Sequence, residues 1–157
     1  MMDIHKCSLG ATAALITSMG LIAGLTHGDN ARTGIITGLV IVAIADNISD
    51  SFSIHIYKES EGASRQDINS YTYVNFIVRL ILAFTFVLIV LLLPSNAALI
   101  VSSVWGLTLL TILSYLIAKN RKTAFFQTAV WHLVVALMVI AGSKLLGNLI
   151  IKMLVRS

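Results

Sequence analysis

The chain has 157 residues, 57% hydrophobic and 11% charged, with a mean hydropathy of +0.91. Soluble domains average about 25% charged residues, so this composition excludes an ordinary soluble domain. The net charge of +4 comes from scattered Lys and Arg, which excludes a nucleic-acid patch and suits orientation against lipid headgroups.

One Pro and long apolar runs select helices over a barrel, whose sequence would alternate in segments of about ten residues. The expected fold is an all-α integral membrane protein with five transmembrane helices in one domain, 1–157. The lone Cys7 cannot form an intrachain disulfide. Each span needs about 20 residues to cross a hydrocarbon core of about 30 Å.

Helix 1 is expected over 8–25, as a mature span rather than a cleaved leader, because Met1 to Lys6 make a weak charged start. Gly20 and Gly24 form a small-xxx-small pair that admits a close neighbour. Turn chemistry from Thr26 to Arg32, with His27 as a loop residue, ends this span. Helix 2 is expected over 33–57, with Gly34 and Gly38 repeating the close-packing pattern. The polar segment Lys58 to Ser70 follows as a loop. Helix 3 is expected over 73–93 and carries Arg79, either snorkelling to the interface or meeting an acid. Pro94, Ser95 and Asn96 make a turn into helix 4, over 97–118. The basic loop Lys119 to Lys122 precedes helix 5, over 125–151, which carries His132 beside Trp131, and Lys144.

Five spans put the termini on opposite sides. Lys6, Lys58, Arg65, Lys119, Arg121 and Lys122 share one side, and Arg32, Lys152 and Arg156 the other. The positive-inside rule then places the N-terminus in the cytoplasm.

The chemistry concentrates in the second half of helix 2. Side chains four and seven positions apart share a helix face, so Asp46, Asp50 and Ser53 form one oxygen-rich stripe, continued by Tyr57. Asn47 and Ser51 form an adjacent stripe. An acid at the centre of a span costs roughly 2.5–3.5 kcal/mol, which a membrane protein carries where the acid finds partners or lines a wet path. Oxygen ligands suit Mg²⁺, Mn²⁺ and Fe²⁺. Met19 on helix 1 would bias such a site toward transition metals. Glu59 and Glu61 form a cation-attracting vestibule or a solvated cluster beside Lys58. His55 is an interface residue or a ligand. The candidate metal residues are therefore Asp46, Asp50, Asn47, Ser53, Met19, Glu59 and Glu61. One helix cannot complete a coordination shell, and a symmetric dimer would bring two stripes together.

These residues carry a resemblance. Helix 1, GATAALITSMGLIAG from Gly10 to Gly24, is similar to the pattern G-A-N-D-G-I-V-T-V-L-G-L-V-x-G of the vacuolar iron transporter family. DNISDSFSIHIYKE from Asp46 to Glu59 resembles that family's M-A-A-G-E-Y-V-S-V-S-S-Q-R-E. In this register Asp50 stands at the family's Glu, Ser53 at a Ser, Lys58 at an Arg and Glu59 at a Glu. The resemblance implies five helices, a homodimer and export of Fe²⁺ or Mn²⁺ from the cytosol in exchange for protons. Two departures stand out: the family's helix 1 Asp falls at Ala13, and its helix 2 Met falls at Asp46, as if a carboxylate had moved between helices. The Lys58 to Ser70 segment cannot hold the acidic metal-binding domain of the plant and parasite members.

The expected partners are the bilayer, a second copy and a divalent cation substrate, with no nucleic acid and no resident cofactor. Two alternatives remain open: a non-transporting membrane protein whose polar stripe sets helix register or binds a partner, and a transporter of another solute on the same fold. No nucleophile–base pair, phosphate loop or His cluster points to an enzyme.

Overall fold

A computed structural model describes residues 4–26 and 30–155. His27 and Arg156 lie outside the described residues. The described chain is helical, with no strand. Helix α1 spans Ile4–Leu25, α2 Ala31–Ile41, α3 Asn47–Ser60, α4 Arg65–Leu92, α5 Ser95–Arg121 and α6 Phe125–Val155. A wide π-helical turn, Val42–Asp46, joins α2 to α3 without a break. The rod Ala31–Ser60 is therefore continuous, and among the described residues five helices, this rod included, are long and apolar enough to cross a membrane.

The second connection differs most from the sequence expectation. Helix α4 starts at Arg65, about two turns before the expected 73, so most of Lys58 to Ser70 is helical. Local hydrogen bonds explain this. Gly62 takes the left-handed conformation (φ 71°), and its N–H and that of Ala63 close onto the carbonyls of Glu59 and Lys58. Ser64 then caps α4 by accepting from the Asp67 N–H at 3.2 Å. Polar composition does not oppose a helix whose first residues, Arg65 to Asp67, are capped and exposed.

Helix α1 is the hub and packs on α4, α5 and α6. Its small residues allow this. A Cβ at Gly20 would press on Val139 and Ser143, and one at Gly147 of α6 would collide with the Gly24 carbonyl oxygen. The α1–α6 contact is thus close to backbone on backbone. In α2, Gly38 sits against Leu21, but Gly34 faces open space. Leu15, Met19, Ile22, Ile35, Leu39, Phe86, Val90 and Leu110 form the core. The outer surface carries Ile44, Ile48, Phe52, Leu145, Leu149 and other large apolar side chains, as lipid or a partner requires. Lys144 is exposed on α6.

At one end Lys6 Nζ donates to Ser70 Oγ at 3.1 Å and lies 3.7 Å from Asp67, while Lys6 and Lys58 both stack over Tyr71. This brings the start of α1 beside the α3–α4 turn. At the other end Arg32 of α2 donates to the Leu91 carbonyl of α4.

Candidate functional site

Asp46 closes the wide turn and Asp50 follows one turn later, on the same face of the second span. Helix α3 packs on α4, and α4 meets this face with its own pair four residues apart, Asn75 and Arg79. Both are buried. Arg79 Nη1 donates to Asp50 Oδ2 at 2.9 Å, and Nη2 donates to Asp46 Oδ2. One guanidinium therefore holds two carboxylates, the fork geometry that arginine provides.

A second layer fixes the register. Asn75 Nδ2 donates to Ser51 Oγ at 3.0 Å and lies 3.5 Å from Asp50 Oδ2. Ser51 Oγ donates to Asn47 Oδ1 at 3.4 Å, and Asn47 Nδ2 donates to the Phe76 carbonyl at 2.9 Å. Gly10 of α1 makes room beneath: a Cβ there would collide with Asn75 and press on Arg79. A small cavity beside Arg79 and Asn47 is lined by Ala14 and Ser18 of α1. Ser18 Oγ and Asn75 Oδ1 are buried with no hydrogen-bond partner among the described residues.

The charges do not balance. Arg79 is 4% exposed, whereas the side chains of Asp46 and Asp50 are 51% and 40% exposed. Two carboxylates and one guanidinium leave one net negative charge, turned outward on a span whose neighbours are Ile44, Ile48 and Phe52. In hydrocarbon that charge is costly, so this face calls for a cation, a proton or a second polar surface. The wide turn sits at this point, and π-helical turns recur at functional sites.

The other sequence candidates divide. Ser53 is exposed one turn beyond Asp50, its Oγ donating to the Ser49 carbonyl at 2.9 Å. Asn47 is buried, its Nδ2 donating across to α4 at Phe76 and its Oδ1 accepting from Ser51 one turn along α3. Met19 is buried against Gly106 of α5, away from the α3–α4 contact. Glu59 is exposed. Glu61 pairs with Lys58 at 2.6 Å, and this bond, with one from Tyr57, holds its carboxyl below the usual carboxylate range. His55 Nδ1 lies 3.3 Å from Thr72 Oγ1 on α4. Among the described residues no group of three or more His, Cys, Asp or Glu comes together.

Ala13, where the resembling family has an Asp, lines a different space, the cleft between α1, α5 and α6. Gly10, Ala14 and Ser18 are α1 residues beside Arg79. Position 13 therefore lies in a different part of the molecule from Asp46, which pairs with Arg79 at the α3–α4 contact.

Asn75 was not singled out by its own sequence context. A signal existed in the pairing: Asn75 and Arg79 repeat the four-residue spacing of Asp46 and Asp50 on the next span. No protein-family model matches the chain, and no curated protein or solved structure matches it either.

Proposed function

We propose that this protein is a membrane cation transporter in which Asp46 and Asp50 form the cation-binding edge and Arg79 is the resident counter-ion. The carrying observation is the imbalance just described: two half-exposed acids share one buried guanidinium on the outer face of a span. An arriving cation competes with Arg79 for the carboxylates, and Arg79 reclaims them when the cation leaves. The empty state then never presents two bare acids to lipid. The helix 2 resemblance makes a divalent transition metal, Fe²⁺ or Mn²⁺, the substrate class, exported from a cytosol that also holds the N-terminus. Proton exchange through the same carboxylates supplies the coupling. A single chain brings two acids, too few for a coordination shell of six oxygens. A homodimer facing these stripes across its axis would double the number.

The satisfied bonds among Asn47, Ser51, Asn75 and Phe76 favour a second reading, a non-transporting protein whose clasp sets helix register. Proteoliposomes separate the two. The first reading expects Fe²⁺ or Mn²⁺ flux into liposomes, abolished by Asp50→Ala in protein that still folds. Wild-type flux no greater than that of empty liposomes would sink it and leave the clasp as a structural device.

A further inference from the structure

A further cavity lies elsewhere. It opens between α1, α5 and α6 at the end of the molecule that carries the basic loop, and measures about 680 Å³, within the usual range for ligand sites. Thr12 of α1, Arg121 at the end of α5, and Gln127, Trp131 and His132 of α6 line it, with apolar Leu9 and Ile117. Arg121 lines it and no carboxylate does among the described residues, unlike the Asp46–Asp50 face. Trp131 is 64% exposed, the placement of an interfacial anchor.

One hydrogen bond orients His132. Ser114 is buried, and its Oγ donates to the Leu110 carbonyl at 2.7 Å. A hydroxyl has one hydrogen. The contact between Ser114 Oγ and His132 Nδ1 at 2.7 Å is therefore an Nδ1–H donated into the serine oxygen. Nε2 is then the ring nitrogen left for the cavity. The site combines a guanidinium and an amide for an anion with an imidazole acceptor for a hydroxyl.

We propose that this cavity binds the headgroup of an anionic phospholipid, a phosphodiester bearing a free hydroxyl, as in phosphatidylglycerol. Arg121 and Gln127 hold the phosphate oxygens, His132 Nε2 accepts the headgroup hydroxyl, and Leu9 and Ile117 border the acyl chain. Basic pockets between transmembrane helices suit such headgroups. Glycerol phosphate shares this chemistry as a soluble ligand.

The test uses the full chain reconstituted in vesicles of equal phosphatidylcholine, phosphatidylethanol and phosphatidylglycerol, extracted in mild detergent, with retained lipid quantified by mass spectrometry. Phosphatidylglycerol should be retained about 10-fold over phosphatidylcholine, a difference of one decade in affinity. Arg121→Gln should erase that preference. Lys119→Gln, which removes the same charge from the same helix end but does not line the cavity, should keep it. His132→Phe should erase only the preference for phosphatidylglycerol over phosphatidylethanol, whose phosphodiester lacks the hydroxyl. Should His132→Phe fail to fold, as judged by its helical circular dichroism, the Arg121 and Lys119 pair decides. Equal retention of the three lipids, or equal losses in Arg121→Gln and Lys119→Gln, overturns the proposal. Calorimetric binding of glycerol phosphate without lipid enrichment overturns the lipid source and assigns a soluble anion.

Discussion

Replacing Arg79 by Gln tests the clasp directly. The change removes both charge-assisted bonds, to Asp50 at 2.9 Å and to Asp46, and leaves two carboxylates facing each other. Each such bond contributes about 1.5–3 kcal/mol, and breaking a buried pair costs about 3–5 kcal/mol. The carboxylates are 51% and 40% exposed, so part of that penalty is relieved and about 3 kcal/mol is expected. Asp50→Asn keeps an oxygen for Nη1 and loses only its charge, so about 1 kcal/mol is expected. The double variant should be more stable than the sum of the singles implies, with a coupling of about 1 kcal/mol or more. The assay is equilibrium unfolding in mixed micelles with rising sodium dodecyl sulfate, followed by far-ultraviolet circular dichroism. An Arg79→Gln protein within about 0.5 kcal/mol of wild type, or strictly additive variants, would refute the charge-pairing argument.

Two other expectations rest on separate parts of the molecule. Gly147→Ala puts a Cβ onto the Gly24 carbonyl, where backbone cannot yield, and should cost about 1–3 kcal/mol in the same unfolding assay; Gly142→Ala on the same helix meets nothing within 4 Å and should be neutral or slightly stabilising. The Glu61 carboxyl is held below its ordinary value of 4.5 by its bonds to Lys58 and Tyr57, so its contribution is present above about pH 4.5 and is lost as pH falls through the lower folded-state value. A carbon-13 NMR titration should show its midpoint below 4.5 in the wild type and restored toward 4.5 in Lys58→Met.

The span count and the polar face of the second span are legible in the sequence because they are local properties. Hydropathy over about 20 residues measures the cost of transfer to lipid, and a spacing of four residues places Asp46 and Asp50 on one face whatever surrounds them. The same spacing in Asn75 and Arg79 offers α4 as the partner but does not choose it. Arg79 can snorkel or pair, and the choice depends on which helix lies beside it. The start of α4 escapes a hydropathy reading, because polar Arg65 to Ser70 is started by the Ser64 cap and Gly62 turn and buries only Ile68. The wide turn at Val42–Asp46 carries no Gly or Pro to announce it.

The residues around the carboxylates depended on packing. Met19 reads as a soft ligand by chemistry, yet α1 rotates it onto Gly106. Asn47 reads as an oxygen ligand, yet its oxygen accepts from Ser51 on its own helix and its amide nitrogen donates across to Phe76 of α4. Ala13 and Ala14 are adjacent in sequence and line different cavities, since neighbours on a helix point about 100° apart. Sequence alone determined that this chain has five apolar spans and two costly acids on one of them. Only the tertiary structure decided that a single buried arginine from the next span holds both acids. The reason is physical: transfer cost belongs to a segment, while compensation of a buried charge belongs to whatever the fold brings within hydrogen-bond reach.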